Sequence, residues 1–187
     1  ATVNGTTVLQ LSSASNQYYY YTSGYTALND SITFDAWFNT SSAATAQTLI
    51  SEYGQAGLAG GWQDAVLGLS TSKLAGGVYN GSTGGYVSST GGYNASTWYN
   101  LVVTYGSNTI TLYVNGVSQG TLSTTRASNP SPLYYGVGYT DGAAGIYLGG
   151  VVNNFNGYLG PVKFYSAALN QTQITQNFNA IRGRYGV

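Results

Sequence analysis

The chain of 187 residues contains no histidine, no cysteine and no methionine. Without His or Cys, Ser–His and Cys–His nucleophile systems are excluded. No disulfide framework and no cysteine-based zinc site can form, and cysteine usage says nothing of the redox compartment. Charge is almost as scarce. Five basic and five acidic residues make 5% of the chain and cancel to a net charge of zero, against roughly 25% charged residues in ordinary soluble domains. Five scattered cations make no basic patch, so neither nucleic acid nor a polybasic membrane contact is an expected partner. No apolar run approaches the roughly 20 residues needed to cross a bilayer. No basic stretch followed by an apolar run opens the chain, so no signal peptide is expected within it. The Gly-rich stretch "GLAGGW" (57–62) lies between strand patterns and lacks the lysine that a phosphate loop needs.

What the chain does have is 27 Gly, 19 Tyr and an apolar content of 43%. Solubility must come from hydroxyl and amide side chains or from attached glycans. Zero net charge also weakens the repulsion that keeps molecules apart, which suits a homo-oligomer or a larger assembly. A Gly-, Ser-, Asn- and Tyr-rich composition also fits a prion-like disordered segment. The apolar residues, however, fall in periodic runs separated by turn signals, and this favours a folded domain.

The strongest pattern is "STWYNLVVTYGSNTITLYVNGV" (96–117). Tyr99, Leu101, Val103 and Tyr105 alternate with Trp98, Asn100, Val102 and Thr104, as in a strand. Gly106, Ser107 and Asn108 are turn residues. Ile110, Leu112 and Val114 then alternate with Thr109, Thr111 and Tyr113. Asn115-Gly116 tolerates the positive φ angles of a type I′ hairpin turn. Three antiparallel strands are expected near 97–105, 109–114 and 117–122. Further strand signals lie at 7–11, 18–21, 31–38, 48–53, 65–70, 76–80, 145–150 and 157–166. In "SITFDAWF" (31–38), Ile32, Phe34, Ala36 and Phe38 share one face, with Asp35 and Trp37 on the other. One helix is expected at about 170–181, capped by Asn170 with Gln173 completing a capping box. Ile174, Phe178 and Ile181 make its buried stripe, and Gly183 ends it. Residues 1–187 are expected to form a single domain, with loops at 54–61 and 123–145 long enough to carry function.

Four stretches, "SITFDAWFNT", "LISEYG", "STWYNLVVTYGSNTITLYVNGVSQGTL" and "FNGYLGPVKFYSAALNQTQITQNFNA", resemble in type and order the laminin G-like and concanavalin A-like lectin/glucanase superfamily. The resemblance implies an all-β fold, a two-sheet antiparallel jelly-roll sandwich with one short C-terminal helix. The closing "NFNAIRGRYGV" resembles, over a short stretch, the ends of such domains in bacteriophage and marine viral structural proteins. Retaining glucanases of the superfamily carry Glu-x-Asp-x-x-Glu on one strand. Here "ISEYGQAG" holds a lone Glu52, and glycoside hydrolysis normally needs two carboxylates flanking the bond. Asp30, Asp35, Asp64 and Asp141 read as turn or solvated positions. Calcium is common in the superfamily, but no Asp-x-Asp spacing exists here. No cofactor is therefore expected, and any calcium site would draw on Asp64 or Asp141 with backbone carbonyls.

Sugar recognition uses flat aromatic faces with amide and carboxylate partners for hydroxyls. Trp37 and Trp98 sit in strand patterns and read as core. Trp62, beside Asp64 in "GGWQDA", sits at a loop entry, either as an anchor for that loop or as a ligand contact. "PLYYGVGYTDG" (132–142) offers Tyr134, Tyr135, Tyr139 and Asp141 in one segment, read as a ligand or subunit contact or as a packed loop. These six are the candidate ligand- or partner-binding residues. The Tyr18–Tyr21 run alternates on a strand, so at most half of it can face one surface. Asn-x-Ser/Thr sequons occur at Asn4, Asn29, Asn39, Asn80, Asn94 and Asn170, and they bear sugar only in a glycosylating pathway. The expected role is a non-enzymatic, lectin-like binding or adhesion module at an extracellular or virion surface, such as a capsid decoration or fibre, with glycans or other protein subunits as partners. The competing role is a purely structural, self-assembling subunit. A degenerate glycoside hydrolase ranks third.

Overall fold

In a computed structural model, the structure describes residues 1–22, 31–58, 63–81, 85–127, 132–140 and 153–187. The described strands are β1 (Thr2–Val3), β2 (Thr6–Thr7), β3 (Leu9–Leu11), β4 (Tyr19–Tyr20), β5 (Ser31–Thr40), β6 (Gln47–Tyr53), β7 (Gln63–Leu69), β8 (Leu74–Val78), β9 (Gly85–Ser88), β10 (Trp98–Gly106), β11 (Thr109–Val114), β12 (Val117–Ser123), β13 (Tyr134–Val137), β14 (Asn153–Asn154) and β15 (Gly157–Tyr165). One α-helix, α1 (Gln171–Ile181), follows. A six-stranded sheet runs β12-β11-β10-β5-β15-β3, and a seven-stranded sheet runs β4-β13-β6-β7-β8-β9, with β14 joined to β6. Among the described residues every pairing is antiparallel except β14 with β6. This is the expected jelly-roll sandwich.

The core follows from period two. Ile32, Phe34, Ala36 and Phe38 face the other sheet with Leu101, Val103, Tyr105, Ile110 and Leu112. The Phe34 ring lies 5.6 Å from Tyr135 across the interior. The two hairpins form as expected. Ser107 and Asn108 take φ of 49° and 56°, and Asn115 and Gly116 take 50° and 77°, as primed turns require. The opposite face of β5 is also buried. Trp37 stacks on Phe178 of α1 at 5.6 Å and on Tyr185 at 4.6 Å, while Trp98 meets Tyr185 at 4.5 Å. Such ring pairs add about 0.5–1.5 kcal/mol each beyond the area they bury.

The helix begins on the capping box. Asn170 Oδ1 accepts from Gln173 N, and Gln173 Oε1 accepts from Asn170 N, both at 3.0 Å. Its end differs from expectation. Gly183 does not stop it, because a 3₁₀ turn at Arg182–Arg184 carries the chain on. The left-handed glycine is Gly186, at φ 71°. Asp35 is a second correction. It is not solvated but 3% exposed, because β10 and β15 flank it in the sheet and α1 packs on the same face, through Ile174 against Val102 opposite Asp35. The expected loops also change. A 3₁₀ turn fills Ala56–Leu58, and β13 occupies part of 123–145. The strand expected at 145–150 lies outside the described residues.

Candidate functional site

The site grows from an unfinished edge. β4 is the last strand of its sheet, paired with β13 through Tyr20–Gly136 and Tyr19–Val137. Residues opposite each other in an antiparallel pair share a face. Val137 points into the sandwich, so Tyr19 turns towards the gap between the sheets. Tyr20 turns outward, where Gly136 offers no side chain to cover it. Tyr18 lies 6.2 Å from Tyr20, while Tyr21 packs 5.6 Å from Phe164 at the mouth of the core. The alternation in the tyrosine run is therefore real. Yet three consecutive rings stay open to solvent, with Tyr19 59%, Tyr20 42% and Tyr21 40% exposed, because among the described residues no further strand pairs with β4.

These rings line a trough between the two sheet edges. One depression of about 260 Å³ is bounded by Leu9, Val137, Leu159 and Tyr19–Tyr21. A second, of about 550 Å³, continues past Tyr18–Tyr20 to Gln10, Asn16 and Gln17. Several of the polar groups are held in place. Asn16 sits in the left-handed region and accepts from Asn154 Nδ2 at 2.6 Å. Asn154 Oδ1 in turn accepts from Thr140 N at 2.8 Å. Gln17 Oε1 accepts from Ser12 N at 3.1 Å. Tyr18 is fixed by Tyr139 at 4.4 Å, and Tyr139 by Tyr53 at 5.7 Å. Such a surface can stack an apolar ligand face and hydrogen-bond a polar rim.

Of the six residues singled out from sequence, the structure describes the side chains of Tyr134, Tyr135 and Tyr139. Tyr139 is half-buried and supports Tyr18 at the trough. Tyr134 is half-buried on β13, opposite Tyr53. Tyr135 is a correction. It is fully buried, since period two on β13 turns it inward against Phe34 and Phe164, so it cannot touch a ligand. Asp64 lies on β7, where its backbone pairs with Glu52 of β6. Trp62 and Asp141 lie outside the described residues. Of the sequons, Asn4, Asn94 and Asn170 are exposed, Asn39 and Asn80 are half-buried, and Asn29 lies outside the described residues. Sequence reasoning did not pick out Gln10, Asn16 and Gln17. The available signal was the run "NQYYYY", two amides leading four consecutive aromatics.

Two of the five carboxylates are committed elsewhere. Glu52 is 0% exposed, and both its oxygens accept from Arg126 Nη2, at 2.8 and 2.7 Å. Tyr135 adjoins this pair. Burial pushes its phenol far up, and the Glu52 carboxylate adds to the shift while Arg126 opposes it. Asp35 Oδ1 accepts from Asn100 Nδ2 at 2.6 Å. Burial raises its carboxyl, against the pull of that hydrogen bond and of Lys163. Neither acid faces the trough. Among the described residues no three acidic side chains gather to hold a metal ion, so calcium finds no carboxylate cluster there.

A family model described as the concanavalin A-like lectin/glucanases superfamily matches residues 13–175. The chain belongs to this superfamily. A comparison with curated protein sequences finds no match. Solved structures share the fold. The heptameric SAP-like pentraxin of Limulus polyphemus aligns with TM-score 0.62 and 14% identity over 83% of this chain and 72% of its own. The binding domain of Paraclostridial Mosquitocidal Protein 1 aligns with TM-score 0.62 and 13% identity, over 96% and 47%. The binding domain of botulinum neurotoxin DC, solved in complex with SialylT, aligns with TM-score 0.57 and 15% identity, over 84% and 37%. The superfamily chain described here thus spans less than half the length of those two toxin chains. A sialidase of Trypanosoma rangeli also shares the fold, at TM-score 0.55 and 18% identity over 85% and 24%.

Proposed function

We propose that this superfamily domain is a non-enzymatic glycan-binding module that works through the tyrosine trough. The observation that carries the reading is the pair Tyr19 and Tyr20, large, adjacent and exposed, set beside the amides of Gln10, Asn16 and Gln17. Aromatic faces suit the apolar faces of pyranose rings, and amides suit hydroxyls. The burial of Glu52 and Asp35 supports binding over hydrolysis, which normally needs two carboxylates beside a bond. The same fold in a neurotoxin domain solved with SialylT is consistent with a sugar ligand. A surface-displayed setting, such as a virion decoration or fibre, fits the resemblance of residues 177–187 to viral structural proteins.

A glycan array read with the wild type and with Tyr19→Ala and Tyr20→Ala tests this. Each substitution is expected to weaken retention by about 1–2 kcal/mol, the scale of an aromatic anchor, with an unchanged circular dichroism spectrum. Wild-type retention in both variants would move the site elsewhere. A second reading, the self-assembling subunit, draws on β12. This edge strand of seven residues, VSQGTLS, is largely exposed and carries no charge, and uncharged edges are templates for another chain. Sedimentation at micromolar concentration separates the two, since oligomers lost on Val117→Lys would favour assembly through that edge.

A further inference from the structure

We infer that the trough takes an internal stretch of a neutral polysaccharide, not an acidic sugar and not a single terminal residue. This rests on the glycan-binding reading above and adds the class of glycan. The first ground is continuity. Leu9 borders three depressions, of about 260, 550 and 490 Å³. Tyr19 and Tyr20 are shared by the first two, and Leu159 and Gly160 by the first and third. The depressions therefore follow one another along the β3–β15 edge, from Asn16 to Pro161. Three adjoining depressions offer more room than one closed pocket, which suits consecutive sugar units.

The second ground is charge. None of the described residues lining the two tyrosine depressions is acidic or basic. The other described cations are occupied away from it. Arg126 holds Glu52 in the core, Lys73 donates to Thr90 O, Lys163 sits opposite Asp35 in the register of β15 and β5, and Arg182 lies over Phe178. Arg184 alone borders the trough, at the third depression and not at the tyrosines. A carboxylate or sulfate placed against Tyr19 and Tyr20 would lose water and gain no counter-charge, which is unfavourable. A neutral pyranose loses only what the rings and amides return. Binding without ion pairs is also insensitive to salt.

Affinity electrophoresis and calorimetry of the full chain test this, with neutral glucans, mannans, galactans and xylans against alginate and dextran sulfate. At least one neutral polymer is expected to bind. Its affinity should rise by about tenfold or more, or about 1.4 kcal/mol, from the monosaccharide to a six-unit oligomer. It should change by less than about twofold between about 0.02 and 0.5 M salt. Preference for alginate or dextran sulfate, lost in salt or in Arg184→Gln, would overturn the inference while leaving glycan binding intact. A monosaccharide bound as tightly as the oligomer would overturn it in the same way. Absence of binding across the whole panel would overturn both the inference and the function it rests on.

Discussion

Strand β13 separates two tyrosine-rich regions one strand apart. On its β6 side, Tyr135 lies opposite Glu52, inside a sealed cluster with Arg126 where no atom of the acid meets solvent. On its β4 side, Gly136 and Val137 lie opposite Tyr20 and Tyr19, whose rings stand open. The residue type is the same and the roles are opposite. The interior tyrosine is held by sheet packing on one side and an ion pair on the other. Among the described residues, the edge tyrosines have a partner strand on one side only. In a chain with 19 tyrosines, abundance is therefore no guide to a binding surface. Position within the sheet is.

The comparison breaks first at Arg126. Arg126→Leu leaves Glu52 buried without a counter-charge and is expected to cost about 3–5 kcal/mol, read as a lower urea midpoint. A loss below about 1 kcal/mol would mean that the interior admits water and is no more sealed than the edge. At the edge, Tyr19→Ala and Tyr20→Ala should move stability by no more than about 0.5 kcal/mol while weakening ligand retention. A marked fall in melting temperature would make these rings structural, like Tyr135.

Tyr93 lies between the extremes and sharpens the scale. It is 7% exposed, and its hydroxyl donates to Ser70 O at 2.6 Å. Tyr93→Phe should cost about 1 kcal/mol. Burial pushes this phenol from 10.0 up to about 12. The folded state then holds the proton more tightly than the unfolded chain. The stability tied to it is present below pH 10 and lost as pH rises through about 12. Absorbance titration should show a late-ionising phenol that vanishes in Tyr93→Phe. The smallest effect belongs to Asp35. Its carboxyl is raised by burial above 3.8, so its contribution is full below that value and lost as pH rises through the folded pKa. Asp35→Asn keeps an acceptor for Asn100, so it should change stability at low pH by less than about 0.5 kcal/mol. It should also flatten the pH profile of the melting temperature.

The hairpins at 98–123 and the capped helix were legible because their signals are local: alternation, Asn115-Gly116, and Asn170 with Gln173. The superfamily was legible for the same reason, since its motifs lie along contiguous strands. The Glu52–Arg126 pair was not, because 74 residues separate its partners and nothing local to either announces the other. Asp35 misled because a strand pattern shows which face a residue takes but not whether a helix covers that face. Tyr135 misled because Gly136 and Gly138 give β13 the look of a loop. In the structure, Gly136 instead leaves room opposite Tyr20, and only Gly138, at φ 75°, makes a turn. The trough itself depends on which strand ends the sheet, and no local pattern encodes that.

The aromatic seal beneath the C-terminal helix has an optical consequence. Trp37 and Trp98 are 1% and 6% exposed, and both touch Tyr185. In a Trp62→Phe background they are the only indole fluorophores. Their emission then reports one event, the lifting of the chain's last turns from the sheet. A red shift that precedes the loss of far-ultraviolet signal on heating would identify that closure as a latch that melts on its own. Coincident transitions would make the helix and the sandwich one cooperative unit.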